Sequence, residues 1–199
     1  MAINTFSTLK TAITAWSDRT DIGDATLTDF VTLADARIRK DISRHELRMR
    51  EMETRSDLSV SSGVATLPTD FMAMQSVQAR ATNPTRLEYK PVAWLNEAFP
   101  DGDSGVPAFY TIENASLYMF PLTASDIRIV YWAYPAVLSD SNTSNWLLLK
   151  YPDVYLHAGL LELRIYEEND EAMQREISLL SAAFDGMDKS EFSAVMASS

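Results

Sequence analysis

The stretch Leu58-Ser59-Val60-Ser61-Ser62-Gly63-Val64-Ala65-Thr66-Leu67 marks a change in the rhythm of the chain. Upstream, apolar residues recur every three or four positions. Here they alternate with small polar residues around Ser62-Gly63. Alternation sends successive side chains to opposite faces of an extended backbone, and Ser-Gly supplies a turn, so two short strands are predicted. Further strand-like runs follow at residues 74–80, 86–89, 109–113, 117–120 and 127–134, with Asn114-Ala115 as a hairpin turn. Pro68, Pro84, Pro91, Pro100, Pro107, Pro121 and Pro135 fall between these runs, as expected of a residue that cannot donate to a sheet ladder. A short helix is predicted over residues 92–99. Closely spaced strands of this kind predict a small antiparallel sheet, sandwich or barrel.

Helical periodicity holds on both sides. Phe6, Leu9, Ile13 and Trp16 form one stripe, and Leu27, Phe30, Val31, Ala34, Ile38 and Ile42 form a second. Asp21-Ile22-Gly23-Asp24 separates them, with Asp24 or Thr26 as the expected cap. Beyond the β-rich region, Pro152 suits a first helical turn, and Val154, Tyr155, Ala158, Leu161 and Ile165 follow at helical spacing. Glu167-Glu168-Asn169-Asp170 interrupts the stripe before Met173, Ile177, Leu180 and Phe184 resume it. From Gly186 onward the signals fade and a loosely ordered end is expected. Grouped rather than alternating strands and helices define an α+β chain. The expected organisation is a helical body from residues 1–49 and 136–187, a β-rich insertion lobe from residues 50–135, and a C-terminal tail from residues 188–199. Helices from the two ends would share one bundle.

Composition bounds the function. With 46% hydrophobic and 23% charged residues the 199-residue chain can offset the entropy of ordering itself. No run approaches the roughly 20 apolar residues of a membrane span, and Met1–Thr5 lacks the features of a signal peptide. The absence of cysteine excludes disulfides and thiolate metal sites. The net charge of −11 is unevenly spread. Residues 1–50 carry eight Lys/Arg and seven Asp/Glu, a net of +1, and residues 51–199 carry nine and twenty-one, a net of −12. Such a surface repels a polyanion and argues against tight nucleic-acid binding.

Motifs for chemistry are missing. There is no nucleophile elbow and no phosphate-cradling glycine loop, so no catalytic or cofactor-binding residue is assigned and no cofactor is expected. His157 sits among apolar neighbours as a packed helical histidine, and His45, among Arg44, Glu46 and Arg48, is expected as a solvent-facing helix residue. Two distant histidines offer no transition-metal site. Asp101-Gly102-Asp103-Ser104-Gly105 lacks the ligand series of a calcium loop and is predicted as a plain turn. The acid pairs Glu51/Glu53 and Glu162/Glu167 are expected to be solvated surface rather than a glycosidase dyad. Arg37, Arg39, Lys40, Arg44, Arg48 and Arg50 are countered locally only by Asp41 and Glu46. Their place in the C-terminal half of a helix suits the helix dipole, and they equally suit contact with a neighbouring copy of this acidic protein, for which Arg37, Arg39, Lys40 and Arg44 are the candidates.

The segment Leu67-Pro68-Thr69-Asp70-Phe71 with the strand after it resembles a recurring feature of bacteriophage head-to-tail adaptor proteins. The ordered series continues through Pro107-Ala108-Phe109-Tyr110-Thr111-Ile112, Leu117-Tyr118-Met119-Phe120-Pro121, Ile127-Arg128-Ile129-Val130-Tyr131-Trp132-Ala133, Leu138-Ser139, Asn145-Trp146-Leu147-Leu148 and Tyr151-Pro152-Asp153-Val154-Tyr155-Leu156. The resemblance covers roughly residues 65–165. It implies a structural virion protein, not an enzyme, made in the host cytoplasm and placed in the neck between capsid portal and tail. It further implies a homo-oligomeric ring, usually of twelve copies, beneath the portal protein. That ring extends the DNA channel without binding DNA specifically and carries the tail tube or nozzle proteins. In that family a C-terminal extension docks into the portal, which makes Phe192, Val195 and Met196 the candidate portal contacts. Two other readings remain open from sequence: a different neck or tail-completion protein, and an acidic protein-binding module.

Overall fold

The computed structural model describes residues 2–80, 84–100 and 102–196, with side chains described through residue 187. The fold is mixed α+β, with helices α1 (Phe6–Ser17), α2 (Asp24–Arg44), α3 (Val92–Ala98), α4 (Trp146–Lys150), α5 (Pro152–Tyr166) and α6 (Asp170–Met196). The strands are β1 (Glu53–Leu58), β2 (Val64–Thr66), β3 (Phe71–Ala79), β4 (Thr85–Tyr89), β5 (Phe109–Glu113), β6 (Ser116–Phe120) and β7 (Ile127–Ala133). Contacts divide the chain into a unit from Met1–Arg50 with Pro135–Ser199 and a unit from Glu51–Tyr134.

The first unit is helical. Thr5 caps α1 reciprocally: its Oγ1 accepts from the Thr8 N–H at 3.2 Å, and its own N–H donates to Thr8 Oγ1 at 2.9 Å. The expected side-chain cap on α2 is absent. Gly23 occupies the cap position, and Asp24 is the first helical residue. There its charge meets the positive helix end and the Lys10 ammonium at 2.7 Å. The central element is α5, buried on most of its circumference and packed against α1, α2, α4 and α6. Gly159 permits the approach of α1, because a Cβ there would lie 2.5 Å from Ile13 Cδ1. Helical backbone continues to Met196, where fading sequence signals had suggested a loosely ordered end from Gly186. One glycine costs a helix only about 1 kcal/mol, and its neighbours are ordinary helix formers.

The second unit is one seven-stranded sheet in the order β1-β7-β3-β4-β5-β6-β2. Consecutive strands β1 and β2 therefore occupy opposite edges. Flat, six interstrand spacings of about 4.8 Å would separate those edges by about 29 Å. The six steps from Leu58 to Val64 reach at most about 21 Å. The sheet must curl, and its concave side encloses Val77, Leu117, Met119, Ile127 and Ile129, all fully buried. At the crossing Ser62 and Gly63 both have positive φ, and a Cβ on Gly63 would lie 2.6 Å from Leu122 Cδ2. The expectation of a purely antiparallel sheet is corrected at one place. β4 and β5 pair in parallel, because α3 lies in the connection between them and returns the chain in the same direction. The Leu-Pro-x-Asp-Phe segment has a physical role here. Leu67 is buried, the Asp70 carboxylate accepts from Tyr131 Oη–H at 3.0 Å, and Phe71 stacks on the Tyr131 ring. Burial and that carboxylate push the Tyr131 hydroxyl up to about 12.

Candidate assembly surfaces

Most charged side chains of the helical unit that sequence offers for chemistry are engaged within the chain. Glu162, expected on solvated surface, is buried and accepts from Arg37 Nε at 2.6 Å. Glu167 accepts from Arg19 and from Arg164, each at 2.7 Å. His157 is mostly buried, with Nδ1 hydrogen-bonded to Glu176 Oε2 at 2.8 Å, and Arg175 holds the second Glu176 oxygen at 3.0 Å. His45 is exposed but stacks flat on Phe184, with ring centroids 5.9 Å apart. Among the described residues no three His, Asp or Glu side chains converge as a metal cage.

A buried polar network lies between α2, α5 and the segment that precedes α4. Asp35 Oδ1 accepts from the Tyr155 hydroxyl at 2.6 Å, and Asp35 Oδ2 accepts from the Leu138 N–H at 3.0 Å. Asn145 Nδ2 donates to the Tyr155 oxygen and to the Ala136 carbonyl, both at 2.7 Å, while its Oδ1 caps α4 through the Leu148 N–H. Burial raises the Asp35 carboxyl above its ordinary value, against the pull of its two hydrogen bonds and of Arg39. Burial and the adjacent Asp35 charge push the Tyr155 hydroxyl up as well. Sequence reading missed this network. The available signal was an acid on the apolar face of α2, one position after Ala34.

The four candidate subunit-contact residues separate into two pairs. Arg37 bonds Glu162, and Arg39 donates to the Pro135 carbonyl at 3.0 Å, so both act within the helical unit. Lys40 and Arg44 are exposed. Phe192, Val195 and Met196 fall in the last turns of α6, and their side chains lie outside the described residues.

Several residues of the predicted core stripes face outward instead. Trp16 is 62% exposed, Ile165 43% and Ile177 42%, and the neighbouring Tyr166 is 64% exposed. In the β unit, Trp94 on α3 packs edge-on against Phe109 at 5.1 Å while remaining partly exposed. Phe99 lies between Phe109 and Phe120, and Lys90 Nζ sits 5.4 Å from the Trp94 ring centre. Exposed aromatic and apolar groups clustered beside charges are candidate contact surfaces for other proteins.

The α+β chain thus presents candidate surfaces for contact with other proteins. The model of the SU10 adaptor protein family matches residues 4–198, nearly the whole sequence, and the chain belongs to that family of bacteriophage head-to-tail adaptors. No individually curated protein matches the sequence. Membership implies contact with other virion proteins such as portal and tail, and a place in the virion neck. No helix among the described residues is long and apolar enough to cross a membrane.

Proposed function

We propose that the chain acts as the ring-forming adaptor beneath the portal, that it extends the DNA channel, and that it carries the tail tube or nozzle. The observation that carries this reading is the family match over residues 4–198. Charge agrees with it. A channel wall that DNA slides along must not hold phosphate tightly, and a chain of net charge −11 meets that need. In this reading the helical unit is the body of each subunit and the β unit is an inserted lobe toward the tail. Lys40 and Arg44, with Arg37 and Arg39 behind them, contact the next copy. Residues 188–199 dock on the portal through Phe192, Val195 and Met196. The chain has no catalytic role.

Light-scattering mass determination tests the proposal, first on the protein alone and then mixed with its portal protein. The expected result is a monomer or small oligomer of the 22.3 kDa chain that joins the portal as a ring, with twelve copies as the predicted number. A protein that leaves the portal mass unchanged overturns the reading. Deletion of residues 188–199 is expected to abolish portal binding, and undiminished binding removes the tail from the docking role.

A further inference from the structure

The helical unit carries two surfaces of opposite character. One is a groove of about 260 Å³ between α2, α5 and α6. Leu161, Leu180 and Phe184 line it, Ile177 is an exposed apolar group beside them, and Arg44 and His45 stand at its rim. Such a volume is below that of a small-molecule pocket and suits one or two inserted side chains. Arg37, Asp41, Arg44 and His45 line the groove from α2 and its C-cap, within residues 37–50, a segment that holds six Lys/Arg against two Asp/Glu, a net of +4.

The other surface is the corner where α5 ends and α6 begins. Ile165 and Tyr166 are exposed there, beside the exposed acids Glu168, Asp170 and Glu171. Residues 165–171 contain four acids and no base. One of the four, Glu167, is held by Arg19 and Arg164, which leaves the other three outermost. Helix α6 runs from the corner to the groove: Glu171 is in its first turn, and Phe184, thirteen residues later, stacks on His45. At 1.5 Å per residue the two surfaces are about 20 Å apart.

We infer that the groove of one copy receives the corner of the next. Tyr166 and Ile165 fill the apolar floor beside Ile177, and Glu168 and Glu171 face Arg44 and Lys40. The occupant is a second copy because its charge and its apolar content both complement the groove. A symmetric contact of groove on groove would set the +4 segments of two copies against each other. Distinct, separated surfaces make a head-to-tail contact, the kind that generates rings when the rotation closes. This inference rests on the ring-forming adaptor reading and gives that ring its subunit contact.

The chain has no cysteine, so an introduced pair reports cleanly. Arg44→Cys and Glu171→Cys are combined in one chain, assembled on the portal and treated with a short bismaleimide. The expected product is a ladder of covalent multimers, because the 20 Å within one copy exceeds the linker. A mixture of the two single variants is expected to stop at dimers, and neither single variant alone is expected to cross-link. Charge reversal supplies the second measurement. Arg44→Glu and Glu171→Arg are each expected to weaken ring assembly about tenfold, and the two changes combined in one chain to restore it. A ring of full mass without a ladder, or without reciprocal rescue, overturns this contact and leaves the ring standing. Absence of any ring on the portal with the unmodified chain overturns the contact and the adaptor reading together.

Discussion

The two units fix their internal register by different means. In the β unit, backbone ladders do it: β7 pairs with β1 and β3, and β6 pairs with β5 and β2. Helices satisfy their backbones internally and have no such ladder, so only side chains can set one helix against another. The helical unit is also built from two segments distant in sequence, and its polar contacts span that gap. Arg37–Glu162, Asp35–Tyr155 and Arg19–Glu167 join residues 120 to 148 positions apart. Buried polar residues follow the same division. Among the described residues, Lys10, Ser17, Asp35, Asn145, Glu162 and Glu176 belong to the helical unit and Thr111 alone to the β unit. Polar groups buried in the helices therefore carry register, whereas the sheet has little need of them.

The largest test is Asp35→Ala. It leaves the Tyr155 hydroxyl and the Leu138 N–H buried without their acceptor, a loss of about 4 kcal/mol if each orphaned donor costs about 2. Urea unfolding followed by far-UV circular dichroism measures it, and a loss below about 1 kcal/mol would break the contrast between the units. The pH dependence sharpens the same point. Asp35 binds its proton more tightly folded than unfolded, because its native carboxyl is raised above the ordinary 3.8. Its contribution to stability is thus full below that value and declines as pH rises through the native one. Asp35→Asn is expected to lack that decline in unfolding curves taken from pH 3.5 upward. An unchanged slope would show that Asp35 is not the group responsible.

In the sheet the corresponding weak point is backbone, not polar. Gly63 has a φ of +78°, and its added Cβ would also meet the Met119 carbonyl oxygen at 3.3 Å. Gly63→Ala is expected to cost about 2 kcal/mol, from left-handed strain and the displaced Leu122 side chain. Unfolding free energy measures it. A neutral result would mean that the passage between the two sheet edges tolerates another turn.

How far sequence revealed these features depended on whether their causes were local. Strands β6 and β7 were legible within a residue, because burial alternates strictly along each of them. β1 was largely missed: it is an edge strand that carries Glu53, Arg55 and Asp57 outward and shows no apolar alternation. α4 escaped because five residues hold too little of a helical period. The parallel β4–β5 pair depends on the path of the chain around α3, which no residue pattern encodes. For the candidate surfaces, the clustering of Arg37, Arg39, Lys40 and Arg44 was visible, but the division between inward and outward members was not. It depends on Glu162 and the Pro135 carbonyl, each about a hundred residues away. Ile165 and Ile177 fit apolar stripes that periodicity assigns to a core, and tertiary packing leaves them at the surface.

The smallest expected effect has the opposite sign. Thr111 on β5 is 1% exposed, and its Oγ1 has no hydrogen-bond partner among the described residues. A buried hydroxyl without a partner carries a desolvation cost and returns nothing. Valine keeps the β-branched shape, suits a strand at least as well and replaces the hydroxyl with a methyl group. Thr111→Val is therefore expected to stabilise the β unit by about 1 kcal/mol, read as a rise in the urea midpoint at unchanged slope. The same logic applied to Asp35 predicts a loss, because there every removed bond leaves a buried donor behind. A gain at Thr111 beside a loss at Asp35 would show that buried polarity is structural in the helices and incidental in the sheet. A loss at Thr111 would mean that its hydroxyl is satisfied in solution, and the sheet would then share the dependence on buried polar groups that sets the helices apart.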